Sequence, residues 1–142
     1  MMHPNITEGA DMDRAFATPR LDTGITLRQW LLADTLTCIA FGTLLVAGSA
    51  PLATPLALPP SLLFYAGVIL FPCAALMALA AKTLAKPLSW LVVAGNLAWI
   101  GASIAVAWMF DLTGIGLAFL TAQAAAVGII ATGEWRALNA ST

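Results

Sequence analysis

Charge is what this sequence has least of. Only 9% of its 142 residues are Asp, Glu, Lys or Arg, against about 25% in an ordinary soluble domain. So little charge cannot cover a water-facing surface, which argues against a soluble globular protein and makes lipid the expected solvent. The net charge of −1 leaves no surplus of Lys and Arg for phosphates, so a nucleic-acid partner is not expected. Histidine is nearly missing too. The single His3 lies in the polar N-terminal segment, so no histidine inside an apolar run is available for haem or a pigment. Cysteine is limited to Cys38 and Cys73, both within apolar runs and without a C-x-x-C pattern. Zinc and thioredoxin-like chemistry are therefore not expected, nor is any cofactor or metal. At a dry depth the two thiols read as small hydrophobes and not as a redox pair. The loops opposite the basic ones have no cysteine, unlike those of quinone-linked disulfide formers.

What is present is hydrophobicity, at 61% of residues with a mean hydropathy of +0.91. The expected fold is all-α: a transmembrane bundle of four antiparallel helices at approximately 30–50, 61–81, 88–110 and 112–132. About 20 residues at 1.5 Å each cross a hydrocarbon core of about 30 Å. Residues 1–25 hold most of the acids and few large apolar side chains, and read as a disordered cytoplasmic tail before a membrane domain at 26–138. The tail has no apolar run of signal-peptide type. Met12 is an alternative start, and the acceptor pattern at Asn5 carries no weight in a cytoplasmic tail. Thr26 and Gln29 fit a capping box. The proline-rich stretch 51–60 is expected to end the first helix, and Pro72 to kink the second. Pro87 suits the first turn of the third helix, and Asp111 is expected to cap the fourth. Glu134, Trp135 and Arg136 mark the far interface.

Lys and Arg set the orientation. Arg14, Arg20 and Arg28 precede the first helix, Lys82 and Lys86 lie between the second and third, and Arg136 follows the fourth. With four crossings these segments share one side and hold all 6 basic residues. The positive-inside rule then places both termini in the cytoplasm, in a multi-pass protein of the inner (plasma) membrane. Trp30, Trp90, Trp108 and Trp135 read as interface anchors.

Two features bear on packing. Gly114, Ala118, Thr121, Ala125, Gly128 and Thr132 recur every three or four residues, so small residues line one face of the fourth helix. Such a face lets helix backbones approach closely and predicts a tight hairpin with the third helix. That helix offers an alanine stripe (Ala94, Ala98, Ala102) beside a polar one (Ser89, Asn96, Ser103). Polar groups in lipid are costly and need partners on other helices. Asp34, Asn96 and Gln123 are the candidates for a polar network or transport site. Asp34 is the acid placed inside a span, suited to a proton or cation. It also reads as a structural anchor accepting from Asn96. Asn96 and Gln123 are expected to bond to each other, unless Gln123 faces the first or second helix.

The run VVAGNLAWIGAS (92–103), the first helix with Asp34, the second with Pro72 and the closing Glu134-Trp135 resemble uncharacterised small bacterial four-helix integral membrane proteins. The resemblance covers roughly 26–136 and implies a bacterial inner-membrane setting, with no activity to carry over. Small multidrug transporters share the helix count but carry a glutamate in mid-helix where this chain has Asp34 in LLADTLT.

No nucleophile–base pair, metal cluster or phosphate loop is visible, so an enzyme is not expected. The first reading is an accessory, assembly or structural subunit of the membrane. The alternative is a small homo-oligomeric transporter or channel with Asp34 as its proton or cation site. The expected partners are the lipid bilayer and a homo-oligomer or larger membrane complex.

Overall fold

The computed structural model describes residues 25–140. The readings for the tail, Asn5 and Met12 included, lie outside the described residues. Among the described residues there are four helices: α1 (Leu27–Leu56), α2 (Pro60–Thr83), α3 (Lys86–Met109) and α4 (Gly114–Ala140). Each is long and apolar enough to cross a membrane. Large apolar side chains stay exposed on the outside, among them Leu36, Tyr65, Ile69 and Trp108, the last 87% exposed. In water such a surface would be an aggregation site; in lipid it is the expected coat.

α1 starts as expected. Thr26 Oγ1 accepts from the Gln29 N–H at 3.3 Å, and Gln29 Oε1 accepts from the Thr26 N–H at 2.8 Å. Its end differs from expectation. The helix runs through Pro51 and Pro55 and stops at Leu56, so the proline stretch does not break it. Each proline removes one backbone donor, but in lipid a continuous helix still satisfies more backbone groups than an open loop. Ala57 in the left-handed region (φ 54°) closes the helix, its N–H shared between the Ala53 and Thr54 carbonyls. α4 also differs. Thr113, not Asp111, supplies its cap: Thr113 Oγ1 accepts from the Gly116 N–H at 3.0 Å and donates to the Pro55 carbonyl. α4 also continues past 132 to Ala140.

The helices contact each other in a ring, α1–α2–α3–α4–α1, with no contact between backbones across either diagonal. The α1–α2 pair is the most extensive and α2–α3 the least. Glycine explains the first. A Cβ on Gly42 would lie 3.1 Å from the Gly67 carbonyl oxygen, and one on Gly67 only 2.8 Å from that of Gly42. The two backbones therefore touch where side chains are missing. α1 and α4 meet closely as well: a Cβ on Gly133 would enter the Trp30 ring, and one on Gly116 the backbone of Leu56.

The small-residue stripe of α4 is placed otherwise than expected. Gly114, Ala118, Thr121, Ala125 and Thr132 are exposed and Gly128 is half-buried. A Cβ on Gly114 would meet nothing within 4 Å. The inward face of α4 is instead Gly116, Ile130, Ala131, Glu134 and Leu138. The inward face thus mixes large and small side chains, and the regular small-residue stripe is not part of it.

Candidate functional site

The polar stripe of α3 faces inward: Ser89, Asn96 and Ser103 are all buried. α1 turns Asp34 to the same interior, between Leu31 and Cys38 on its buried face. α4 adds Glu134, at the position expected to mark the interface. It is in fact inside the bundle, at 0% exposure, with Asp34 at 1% and Asn96 at 4%. The reason is the added length of α4. Gln123, Val127, Ile130, Glu134 and Leu138 follow one another by four or three, so a helix that continues to 140 carries Glu134 on its inward face.

These three side chains meet. Asn96 Nδ2 donates to Asp34 Oδ2 at 2.7 Å and to Glu134 Oε2 at 3.2 Å. One amide group thus uses both of its N–H bonds on two carboxyls from two other helices. The contact spans the α1–α3 diagonal, which no backbone approach bridges. The carboxyls of Asp34 and Glu134 are also within hydrogen-bonding reach of each other. Ionised carboxyls only accept, so a bond between the two needs a proton on one of them. Glu134 Oε1 is buried with no donor group.

Among the described residues, nothing basic offsets the pair. Arg28, Lys82, Lys86 and Arg136 are all exposed, and none of them pairs with either carboxyl. Two adjacent carboxylates in an apolar interior repel strongly, and each is expensive there even alone. Charge balance therefore requires a proton or a cation at the pair. Asp34 lies about 10 Å along the axis from the start of α1, and Glu134 about 9 Å from the end of α4, so the pair sits in the half of the bundle nearer the chain ends.

Gln123 does not join this group, and it bonds to neither Asn96 nor α1. It forms a second cluster with α3. Trp99 Nε1 donates to Gln123 Oε1 at 2.6 Å, Gln123 Nε2 donates to Ser103 Oγ at 2.6 Å, and Ser103 Oγ donates to the Trp99 carbonyl at 2.9 Å. All members are neutral and paired. Ser89 Oγ, by contrast, is buried without a partner, and the structure offers no reason for it.

A cavity of about 490 Å³ lies beside the acidic pair, with walls from all four helices. Asp34 and Asn96 line it directly; Glu134 stands behind them. The walls are apolar and aromatic, including Trp99 and the stacked rings of Phe41 and Phe119, whose centroids are 5.5 Å apart. Cys38 and Cys73 are free thiols that also line it. Among the described residues, no group of three or more His, Cys, Asp or Glu is arranged to hold a metal ion. Comparisons with known protein families, with characterised proteins and with solved structures find no match to this chain.

Proposed function

We propose that the protein is a small non-enzymatic membrane transporter or channel in which Asp34 and Glu134, joined by Asn96, form a proton or cation site. The carrying observation is the buried carboxyl pair with no basic partner among the described residues. A structural anchor is better served by neutral groups, as in the Trp99–Gln123–Ser103 cluster. An uncompensated acid pair is unfavourable unless it exchanges a charge-balancing ion. In this reading the helices run antiparallel in an up-down bundle with both termini in the cytoplasm. The gathering of all 6 Lys and Arg in the segments of one side supports that orientation, and the meeting of early α1 with late α4 supports the up-down order. The resemblance to bacterial proteins supports the inner membrane as its site. Four helices seldom enclose a whole pathway, so the working unit is a homo-oligomer.

Infrared spectroscopy of the reconstituted protein tests the site. The wild type should show a buried protonated-carboxyl C=O band that shifts in heavy water, and Asp34→Asn combined with Glu134→Gln should remove it. A wild type without such a band at any pH sinks the proposal. A second reading, an accessory subunit of a larger membrane complex, is favoured by the outward small-residue stripe of α4. Co-purification of a stoichiometric partner in mild detergent, lost in Ala125→Ile, would favour it.

A further inference from the structure

A second concavity lies on the outside of the bundle, away from the acidic pair. It is a groove of about 770 Å³ where the start of α1 meets the end of α4, lined by Trp30, Thr132, Gly133 and Arg136 among others. Gly133 shapes it. With no side chain at that position, the Trp30 ring rests against the backbone of α4 and stands as one wall. The inner end is floored by Ala125 and Gly128. Among the described residues no acid lines the groove. Its donors are the Arg136 guanidinium and the Trp30 indole N–H, and neither is bonded to an acceptor among the described residues. Thr132 Oγ1 already donates its proton to the Gly128 carbonyl at 2.7 Å. The length of the groove fits one leaflet. Ala125 lies near the middle of α4, and the helix rises about 16 Å from there to Arg136. Half of a hydrocarbon core about 30 Å thick is about 15 Å. The groove therefore runs from mid-membrane to the headgroup boundary and carries its cation at that boundary.

Simpler occupants each leave part of the groove unmatched. An acyl chain alone gives Arg136 no counter-ion. Free phosphate leaves the apolar floor uncovered. A zwitterionic lipid brings its own cation to compete with Arg136. An anionic phospholipid matches both ends: a guanidinium fork takes two phosphate oxygens, and an indole at the membrane interface donates a further bond. We propose that the groove between α1 and α4 binds one anionic phospholipid, with its phosphate on Arg136 and Trp30 and one acyl chain laid along Thr132, Gly128 and Ala125. The proposal does not depend on the proton site. A lipid held there touches both α1 and α4, the helices that carry the two acids, and it stabilises the folded chain by mass action.

The test takes the full chain in detergent micelles, adds phosphatidylglycerol and phosphatidylcholine of equal chain length at equal concentration, and counts retained lipid by native mass spectrometry. Wild type should retain one phosphatidylglycerol in preference to phosphatidylcholine by about fivefold, the effect of one Arg at a membrane surface. Arg136→Gln should remove that preference. Lys86→Gln, a basic residue at the same end of the bundle but outside the groove, should leave it unchanged. Thr132→Phe places bulk one turn beneath Arg136 and should cut retention of both lipids. Two measurements need no variant to fold. Phosphatidylglycerol should raise the unfolding temperature of wild type more than phosphatidylcholine does, and water-soluble glycerol phosphate should not displace the retained lipid. Loss of the preference in Lys86→Gln to the same extent, or its survival in Arg136→Gln, overturns the proposal. So does displacement by glycerol phosphate, which would make the groove a site for the phosphate alone. A wild type that retains no phospholipid, with a second copy or residues 1–24 held at the groove instead, overturns it as well. None of these outcomes bears on the protonated-carboxyl infrared band, so the two readings stand or fall separately.

Discussion

Two polar clusters sit inside the same bundle and solve the burial problem in opposite ways. Trp99, Gln123 and Ser103 join α3 to α4 with neutral groups, each donor matched to an acceptor. Asp34, Asn96 and Glu134 join three helices with one amide and two acids, and leave a buried carboxyl oxygen without a donor. The first arrangement is stable as it stands. The second is complete only with a proton or cation added. Interhelical hydrogen bonding is therefore insufficient as an account of the acidic cluster, because the same bundle achieves it without charge a few turns away.

The comparison can be broken at several points. The largest effect is expected from Asp34→Asn with Glu134→Gln, which should abolish the protonated-carboxyl band altogether; a band that survives would mean the acids are not its source. Next is Asn96→Leu, which removes both bonds holding the carboxyls. It should cost about 2–3 kcal/mol, read from reversible unfolding in mixed micelles. Gln123→Leu should cost less, about 1 kcal/mol, as for a typical bond within a membrane. Equal costs for Asn96→Leu and Gln123→Leu would erase the distinction between the clusters. Smallest is Ala125→Ile on the outward stripe of α4, expected to change the stability of a single chain by under about 0.5 kcal/mol. A larger effect would place that stripe in an interface.

Much of this was legible in the residues, and the failures have physical causes. Four apolar runs separated by short polar or proline-bearing segments announce four helices, because backbone groups in lipid must be satisfied within the helix. Asn96 points to a partner on another helix for the same reason, and the structure supplies Asp34. Glu134 was missed because an acid beside Trp135 and Arg136 looks like a boundary marker. Continuing the helical spacing of Gln123, Val127 and Ile130 would have placed it on the inward face. The close helix crossing was sought in the long small-residue stripe of α4, yet the structure makes it with Gly42 and Gly67. Spacing tells which residues share a face but not which way that face turns, and this depends on the bulk of the residues opposite.

The four helices differ in length. α1 has 30 residues and α4 has 27, while α2 and α3 have 24 each. At 1.5 Å per residue, α1 spans about 45 Å and the short pair about 36 Å. The two acids ride on the two long helices, and Asn96 on a short one. A bilayer thinner than a long helix is met by tilting that helix. Membrane thickness should therefore act unequally on the partners of the acidic cluster, tilting Asp34 and Glu134 relative to the amide between them. The protonated-carboxyl band compared across bilayers of increasing acyl-chain length should reveal this as a graded change, making lipid composition a setting for the site as well as its surroundings.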